Sequence, residues 1–337
     1  MERIKFSTET RFNNITECQI FLTRRCNLRC GYCNLAKKQL KRELSIDEWK
    51  KALKNLDNIG IKTVKILGGE PTIIEGFEDL IRFMNEETSI KYAVLSNSTF
   101  SEEKLNSLVN AGIQGYFASI DGVEDVKGLD EHGIIKSNAG FDKLKSFKEA
   151  GVKILGANVV ITKKNLLNIP EITKILSDNG IWVNLCPVIH EKGDHWEFRA
   201  EIPEESKFTD ADIPEINNIM IKLLQMKLEG YKITVPDSYL INMSKYGVYS
   251  NWKCEELVQL RIDADGALMI CNEIRGKVAK KYNATEMDKE KFEEFKEDWK
   301  NERAKIDCSG CYWSCFLTAE DNLKNGKLEF DCMEEQK

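Results

Sequence analysis

The sequence predicts an α/β chain, a partial, TIM-like (β/α)6 barrel followed by a small C-terminal α+β domain. Three observations carry this. Short β-branched strands alternate with amphipathic helices six times between Cys18 and Pro187, the pattern of a parallel sheet wrapped by helices. The regularity stops after Pro187. Six of the 11 cysteines then fall in the last 84 residues. The barrel is expected over residues 15–240 and the second domain over 241–337.

Each element has its own signal. Cys18 to Thr23 is a short apolar strand. Ser45-Ile46-Asp47-Glu48 reads as a capping box and opens a helix to about Asn58. Thr63 to Leu67 is a β-branched strand, followed by a helix from about Gly76 to Asn85. Tyr92 to Ser96 and Tyr116 to Ile120 are strands, separated by a helix from Glu102 to Asn110. Asn138 to Ala150 is helical with Gly151 as its stop, then come strand Ile154–Ile161, helix Ile169–Ser177 and strand Trp182–Pro187. Beyond it, periodicity predicts helices over about Pro214–Leu228 and Glu286–Lys305. The second shows Phe292, Phe295 and Trp299 on one face, which reads as packing between barrel and extension.

Composition narrows the function classes. A net charge of -6, from 49 basic and 55 acidic residues, argues against bulk nucleic-acid binding. The N-terminus lacks an apolar signal region, and no apolar run approaches the roughly 18 residues that span a bilayer. A cytoplasmic location is therefore expected, with no membrane partner. In that compartment 11 cysteines favour metal or catalytic use over disulfides. Three histidines speak against a zinc hydrolase or a histidine base.

The first cysteines are Cys26, Cys30 and Cys33, spaced C-x3-C-x2-C just after the first strand. Three thiolates on one loop suit three irons of a [4Fe–4S] cube and leave the fourth iron open. A zinc knuckle is the alternative, but it needs a fourth ligand that is not in sequence reach. The strand Thr63–Leu67 ends in Gly68-Gly69-Glu70-Pro71. Its glycines permit close backbone approach to a ligand, and its carbonyls and carboxylate suit an ammonium group.

Cys26-x3-Cys30-x2-Cys33, with Tyr32 before the last cysteine, and Gly68-Gly69-Glu70-Pro71 on the second strand together resemble the radical S-adenosylmethionine (SAM) enzymes. The resemblance implies a cluster whose open iron chelates the SAM amino and carboxylate groups. It implies reductive cleavage to methionine and a 5′-deoxyadenosyl radical that abstracts hydrogen from substrate. It also implies a flavodoxin- or ferredoxin-type electron donor. Weaker matches follow at strand ends: Ser96 against the methionine or ribose part of SAM, Ser119 in Ser119-Ile120-Asp121-Gly122 against its carboxylate, and Asn158 against ribose. Read alone, each of these is an ordinary turn cap.

The C-terminal cysteines resemble the auxiliary Fe–S extension called SPASM, or its shorter form, twitch. Cys254 precedes a strand over Leu260–Asp263, Asp265-Gly266 signals a tight hairpin, and a return strand over Ala267–Cys271 delivers Cys271. Cys308-x2-Cys311-x3-Cys315 and Cys332 follow. SPASM enzymes usually carry one more cysteine and a longer gap here. Six cysteines are too few for two closed clusters. The resemblance therefore implies one auxiliary [4Fe–4S] cluster on Cys254, Cys271 and two or three of Cys308, Cys311 and Cys315. A second cluster with a non-cysteine ligand and a zinc ribbon are the alternatives. Cys18 reads as a small buried hydrophobe. Cys186, at the rim of the barrel, reads as a packed thiol, with hydrogen donation or substrate contact as the functional alternative.

Two substrate classes follow from the resemblance: a small molecule undergoing dehydrogenation, or a ribosomal peptide or protein side chain undergoing crosslinking, epimerisation or oxidation. The residues ahead of the first strand are too few for the peptide-recognition domain of many peptide-modifying relatives, which favours a small molecule or a peptide bound without that domain. The loop His190–Arg199 is the candidate substrate loop, and Asp121, Glu191 and Asp194 are candidate proton acceptors. A non-catalytic Fe–S or zinc protein is the reading from a different class.

Overall fold

Strand burial alternates in a way that gives the sheet two different faces. In β1 (Glu17–Phe21), Cys18 and Ile20 point into a core of helix side chains, while Glu17, Gln19 and Phe21 occupy the opposite, concave face. All five are buried. A strand buried on both faces belongs to a sheet covered on both sides. The computed structural model describes residues 15–122, 131–188, 202, 204–248, 254–306 and 314–334.

The remaining strands are β2 (Thr63–Leu67), β3 (Lys91–Ser96), β4 (Gly115–Ile120), β5 (Ile154–Ile161), β6 (Trp182–Pro187) and β7 (Leu260–Ile262). They form one seven-stranded sheet in the order β6-β5-β4-β3-β2-β1-β7. Every pairing is parallel. The helices α1 (Ile46–Ile59), α2 (Phe77–Glu87), α3 (Glu102–Asn110), α4 (Glu131–Glu149) and α5 (Ile169–Asp178) connect the first six strands. The Ser45–Glu48 capping box forms as the sequence predicts, and the Ser101 hydroxyl caps α3 by accepting from the Lys104 N–H. Trp49, Leu53, Leu80, Leu144, Phe147 and Leu176 pack the helices onto the convex face.

The six-strand barrel gains a seventh strand. β7 pairs with β1 in parallel, Cys18 opposite Leu260 and Ile20 opposite Ile262. The expected hairpin turn is present, with Gly266 at φ 81° and its N–H donating to the Asp263 carbonyl at 2.8 Å. Its return strand is reduced to the isolated antiparallel bridge Ile262–Leu268. The C-terminal region thus begins inside the barrel sheet.

After β6 come α6 (Ile213–Leu228) and α7 (Asp237–Tyr246); after β7 come α8 (Lys289–Arg303), α9 (Ser314–Asn325) and α10 (Asp331–Glu334). Phe292, Phe295 and Trp299 are the buried face of α8, as their spacing predicts. The tail of the chain lies on the concave face. Phe330 and Met333 pack on Ala93, Phe117 and Ile154, and Glu329 pairs with Lys65. These partners sit in the N-terminal half of their strands. The C-terminal half of the concave face, where parallel sheets place their chemistry, carries the predicted site residues. Among the described residues, no helix is long and apolar enough to cross a membrane.

Candidate active site

The loop after β1 is held by a continuation of the β1–β2 ladder. Leu22 donates to Leu67 at 2.7 Å, Gly69 to Thr23 at 2.7 Å and Glu70 to Arg25 at 2.8 Å, all through backbone groups. This explains the two glycines. A Cβ on Gly68 would sit 2.4 Å from the Thr23 carbonyl oxygen, and one on Gly69 only 2.0 Å from that of Arg25. The close approach they permit is therefore to the backbone leading into Cys26, a tighter constraint than the ligand contact inferred from sequence.

Cys26, Cys30 and Cys33 lie half-buried on this loop, and the Cys33 N–H closes a turn on the Cys30 carbonyl at 3.0 Å. The Leu28 N–H points at Cys26 Sγ from 3.4 Å and Asn97 Nδ2 from 3.8 Å. Burial nevertheless pushes the Cys26 thiol up. Donors aimed at a half-buried sulfur fit a metal-bound thiolate. The donor set fits an Fe–S cluster.

Glu70 is fully buried beside this loop. Its carboxylate accepts from Thr72 N–H (3.2 Å), Thr72 Oγ1 (2.6 Å), Ser96 Oγ (2.8 Å) and Asn97 N–H (2.7 Å). Burial raises its pKa, and these donors counter the shift. Ser96, expected to face SAM, thus donates its hydroxyl to Glu70. Asn97, which sequence reading passed over, ties the end of β3 to the cysteine loop through Asn27 at 2.8 Å. Tyr32 Oη donates to Asp121 Oδ2 at 2.8 Å, and burial followed by the Asp121 charge raises the tyrosine pKa. Asp121 is set in place by Ser137 Oγ, which accepts from its N–H, and by Asn165, which donates to its carbonyl.

Ser119 and Asn158 are register partners, and Asn158 is opposite Asn184. Asn184 Nδ2 donates to Asn158 Oδ1 at 2.8 Å, giving a half-buried polar row across the concave face. Cys186 lies next on β6, bonded to Ser314 at the start of α9, and burial pushes its thiol up. Cys18 is buried in the core, as expected. The candidate substrate loop with Glu191 and Asp194 lies outside the described residues.

Arg24 links the two ends of the chain. It is buried and paired with Asp263, which follows β7; Nε to Oδ1 is 3.0 Å. Asp263 also pairs with Arg275, so the residue two positions before Cys26 is braced by the C-terminal hairpin.

Cys254, Cys271 and Cys315 line one cavity of about 40 Å³, with Gln259, Arg261 and Trp299. Buried polar atoms without a partner face this region: Gln259 Oε1, Arg261 Nε and Asn272 Oδ1. Among the described residues the thiols share the cavity rather than meeting at single-ion distance. The other two predicted ligands, Cys308 and Cys311, lie outside the described residues, and Cys332 is exposed. Three thiols and unsatisfied buried dipoles around one cavity fit a bound group better than a closed core.

Residues 20–178 match the Radical SAM superfamily. The GTP 3',8-cyclase of Aquifex aeolicus is 27% identical over 313 residues, covering 85% of this chain and 89% of that protein. The PqqA peptide cyclase of Bradyrhizobium diazoefficiens is 32% identical over 162 residues, but these are 47% of this chain and 42% of that protein. Among solved structures, Streptococcus suis SuiB aligns with a TM-score of 0.61 at 21% identity, over 81% of this chain and 64% of SuiB. The structure of anSMEcpe with bound AdoMet and Kp18Cys peptide gives 0.61 at 17% identity, over 92% of this chain and 98% of that one. These structural likenesses are likenesses of fold. With the cysteine loop, the glycine ladder and the parallel half-barrel, the chain carries a radical SAM domain over residues 20–178.

Proposed function

We propose that this chain cleaves SAM reductively and uses the 5′-deoxyadenosyl radical to abstract hydrogen from a small-molecule or peptide substrate, with an auxiliary cluster assisting oxidation. The observation that carries the reading is the backbone ladder that holds Gly68–Glu70 against the Cys26–Cys33 loop. The radical SAM domain at residues 20–178 implies a [4Fe–4S] cluster and SAM. When bound, the cluster supplies the electron that splits SAM. The protein's part is positional. Cys26, Cys30 and Cys33 would hold this cluster. Glu70, fixed by four donors, offers a carboxylate near the methionine amino group together with Gly68, Gly69 and Pro71. Tyr32, Ser96, Ser119 and Asn158 complete the SAM pocket.

In the region 241–337, Cys254, Cys271 and two or three of Cys308, Cys311 and Cys315 hold the auxiliary cluster. A flavodoxin- or ferredoxin-type donor in the cytoplasm supplies electrons. Two substrate readings have specific support. The length shared with a GTP 3',8-cyclase favours a small molecule. The similarity to a PqqA peptide cyclase, and to folds solved with peptides bound, favours a maturase. A short precursor-peptide gene beside this one favours the second.

Anaerobic reconstitution followed by SAM and dithionite tests the proposal. The expected products are methionine and 5′-deoxyadenosine, from a chain holding about eight irons, four for each cube. Cys30→Ala should abolish cleavage, because two thiolates do not retain the first cube. Absence of both SAM binding and 5′-deoxyadenosine in the loaded wild-type chain would reject the reading.

A further inference from the structure

Arg261 sits on β7 with its side chain in the C-terminal cavity, between the barrel sheet and the cysteines. It is 4% exposed. No carboxylate among the described residues pairs with it. Its Nη1 donates to the Leu260 carbonyl at 3.2 Å, its Nη2 lies 3.6 Å from Cys315 Sγ, and its Nε has no acceptor. Burying a guanidinium without a paired anion is unfavourable. The cavity it enters also holds the buried Glu273 carboxylate and Arg303, so Arg261 is one of its charged walls.

Cys315 is the sulfur that Arg261 reaches. Its sulfur faces a second buried donor, Asn272 Nδ2, at 3.7 Å, and Asn272 is itself anchored on Gln19 Oε1 at 3.0 Å. Two N–H donors on one buried sulfur, one of them cationic, are the outer contacts that tune a metal-bound sulfur. Arginine suits this place better than lysine, because it is weakly hydrated and its fork can serve several acceptors.

We propose that Arg261 is the built-in countercharge of the auxiliary cluster, a positioning residue whose N–H···S contact at Cys315 raises the potential at which that cluster accepts an electron. The inference rests on the reading of Cys254, Cys271 and Cys315 as cluster ligands. A cube held by thiolates is anionic and becomes more so on reduction. A fixed cation and N–H···S contacts therefore favour the reduced state.

The test uses the full chain with Cys26, Cys30 and Cys33 all changed to alanine, so that only the auxiliary site can hold iron. About four irons per chain after anaerobic reconstitution supports the underlying reading. Iron near zero in this parent rejects that reading and leaves nothing for Arg261 to tune. In the iron-loaded parent, Arg261→Gln and Arg261→Lys are compared by redox titration followed by electron paramagnetic resonance. The expected result is a more negative midpoint for Arg261→Gln at unchanged iron content, with Arg261→Lys returning most of the shift. Equal midpoints for Arg261→Gln and its parent overturn the proposal. Should Arg261→Gln lose iron, Arg261→Lys decides. Iron retained at the parental midpoint supports a role for charge. Loss from both variants, with unchanged circular dichroism, overturns it in favour of shape alone.

Discussion

Glu70 shows how a single side chain is committed before any ligand arrives. Its carboxylate is 1% exposed and accepts two hydrogen bonds from Thr72, one from Ser96 Oγ and one from the Asn97 N–H. The sequence made both Glu70 and Ser96 legible as polar groups at strand ends. It could not show that they bind each other, because their contact depends on β2 and β3 lying side by side. Tyr32 and Asp121, 89 positions apart, are hidden for the same reason. Ser96→Ala removes one donor from a buried anion, a loss of about 1.5–3 kcal/mol for a hydrogen bond to a charged group. The variant should melt at a lower temperature. It should also bind SAM more weakly in equilibrium dialysis, because Oε1, left with only its two Thr72 donors, shifts from its wild-type position. Unchanged melting and unchanged SAM affinity would show that Ser96 contributes nothing to the setting of Glu70.

At the scale of elements, local signals and long-range pairing part company. Helices α1 and α3 announce themselves through Ser45 and Ser101, whose side chains cap the first turn. The first six strands follow from β-branched runs. β7 was readable as a strand, but its parallel place against β1 was not, since nothing near Leu260 encodes a partner 242 positions earlier. Helix α9 escaped notice because its buried residues, Ser314, Cys315, Leu317 and Ala319, form no apolar stripe at helical spacing. α7 buries only Tyr239, Leu240, Met243 and Ser244. The ladder joining β2 to the cysteine loop gives the sharpest test at this scale. Gly69 needs no unusual φ, so its replacement tests space alone. A Cβ there would lie 2.0 Å from the Arg25 carbonyl oxygen and 2.5 Å from its carbon. Backbone on both sides leaves no flexible side chain to yield. Gly69→Ala should therefore keep the helical circular dichroism of the barrel while losing iron from the first site on anaerobic reconstitution. Full iron loading of that variant would mean that the ladder does not hold the loop.

Across the whole molecule, a buried polar cluster fastens the two ends of the chain to each other. Glu17 on β1 accepts from Gln259 Nε2 at 3.0 Å, just ahead of β7, and from Asn322 Nδ2 at 2.8 Å on α9. Close by, Lys65 on β2 pairs with Glu329. The tail that covers the concave face is thus pinned where β1, β2 and β7 meet. Burial, joined by the Glu329 charge, pushes the Glu17 carboxyl up from 4.5 to about 8, while Asn322, Lys65 and Gln259 pull it down. The folded chain then holds a proton on Glu17 that the unfolded chain releases between those two values. A raised folded pKa means stability that is complete below 4.5 and is lost as pH rises through about 8. The loss is at most about 1.4 kcal/mol for each pH unit in that window. Glu17→Gln cannot ionise and keeps an acceptor for one of the two amide donors. Its melting temperature should be flatter than wild type between pH 5 and pH 8 and should overtake it near the upper end. The comparison is made by anaerobic thermal scans of the full chain. Parallel curves for the two proteins would assign the pH dependence to other groups. A crossing would show that the proton on Glu17 fastens the C-terminal tail to the barrel.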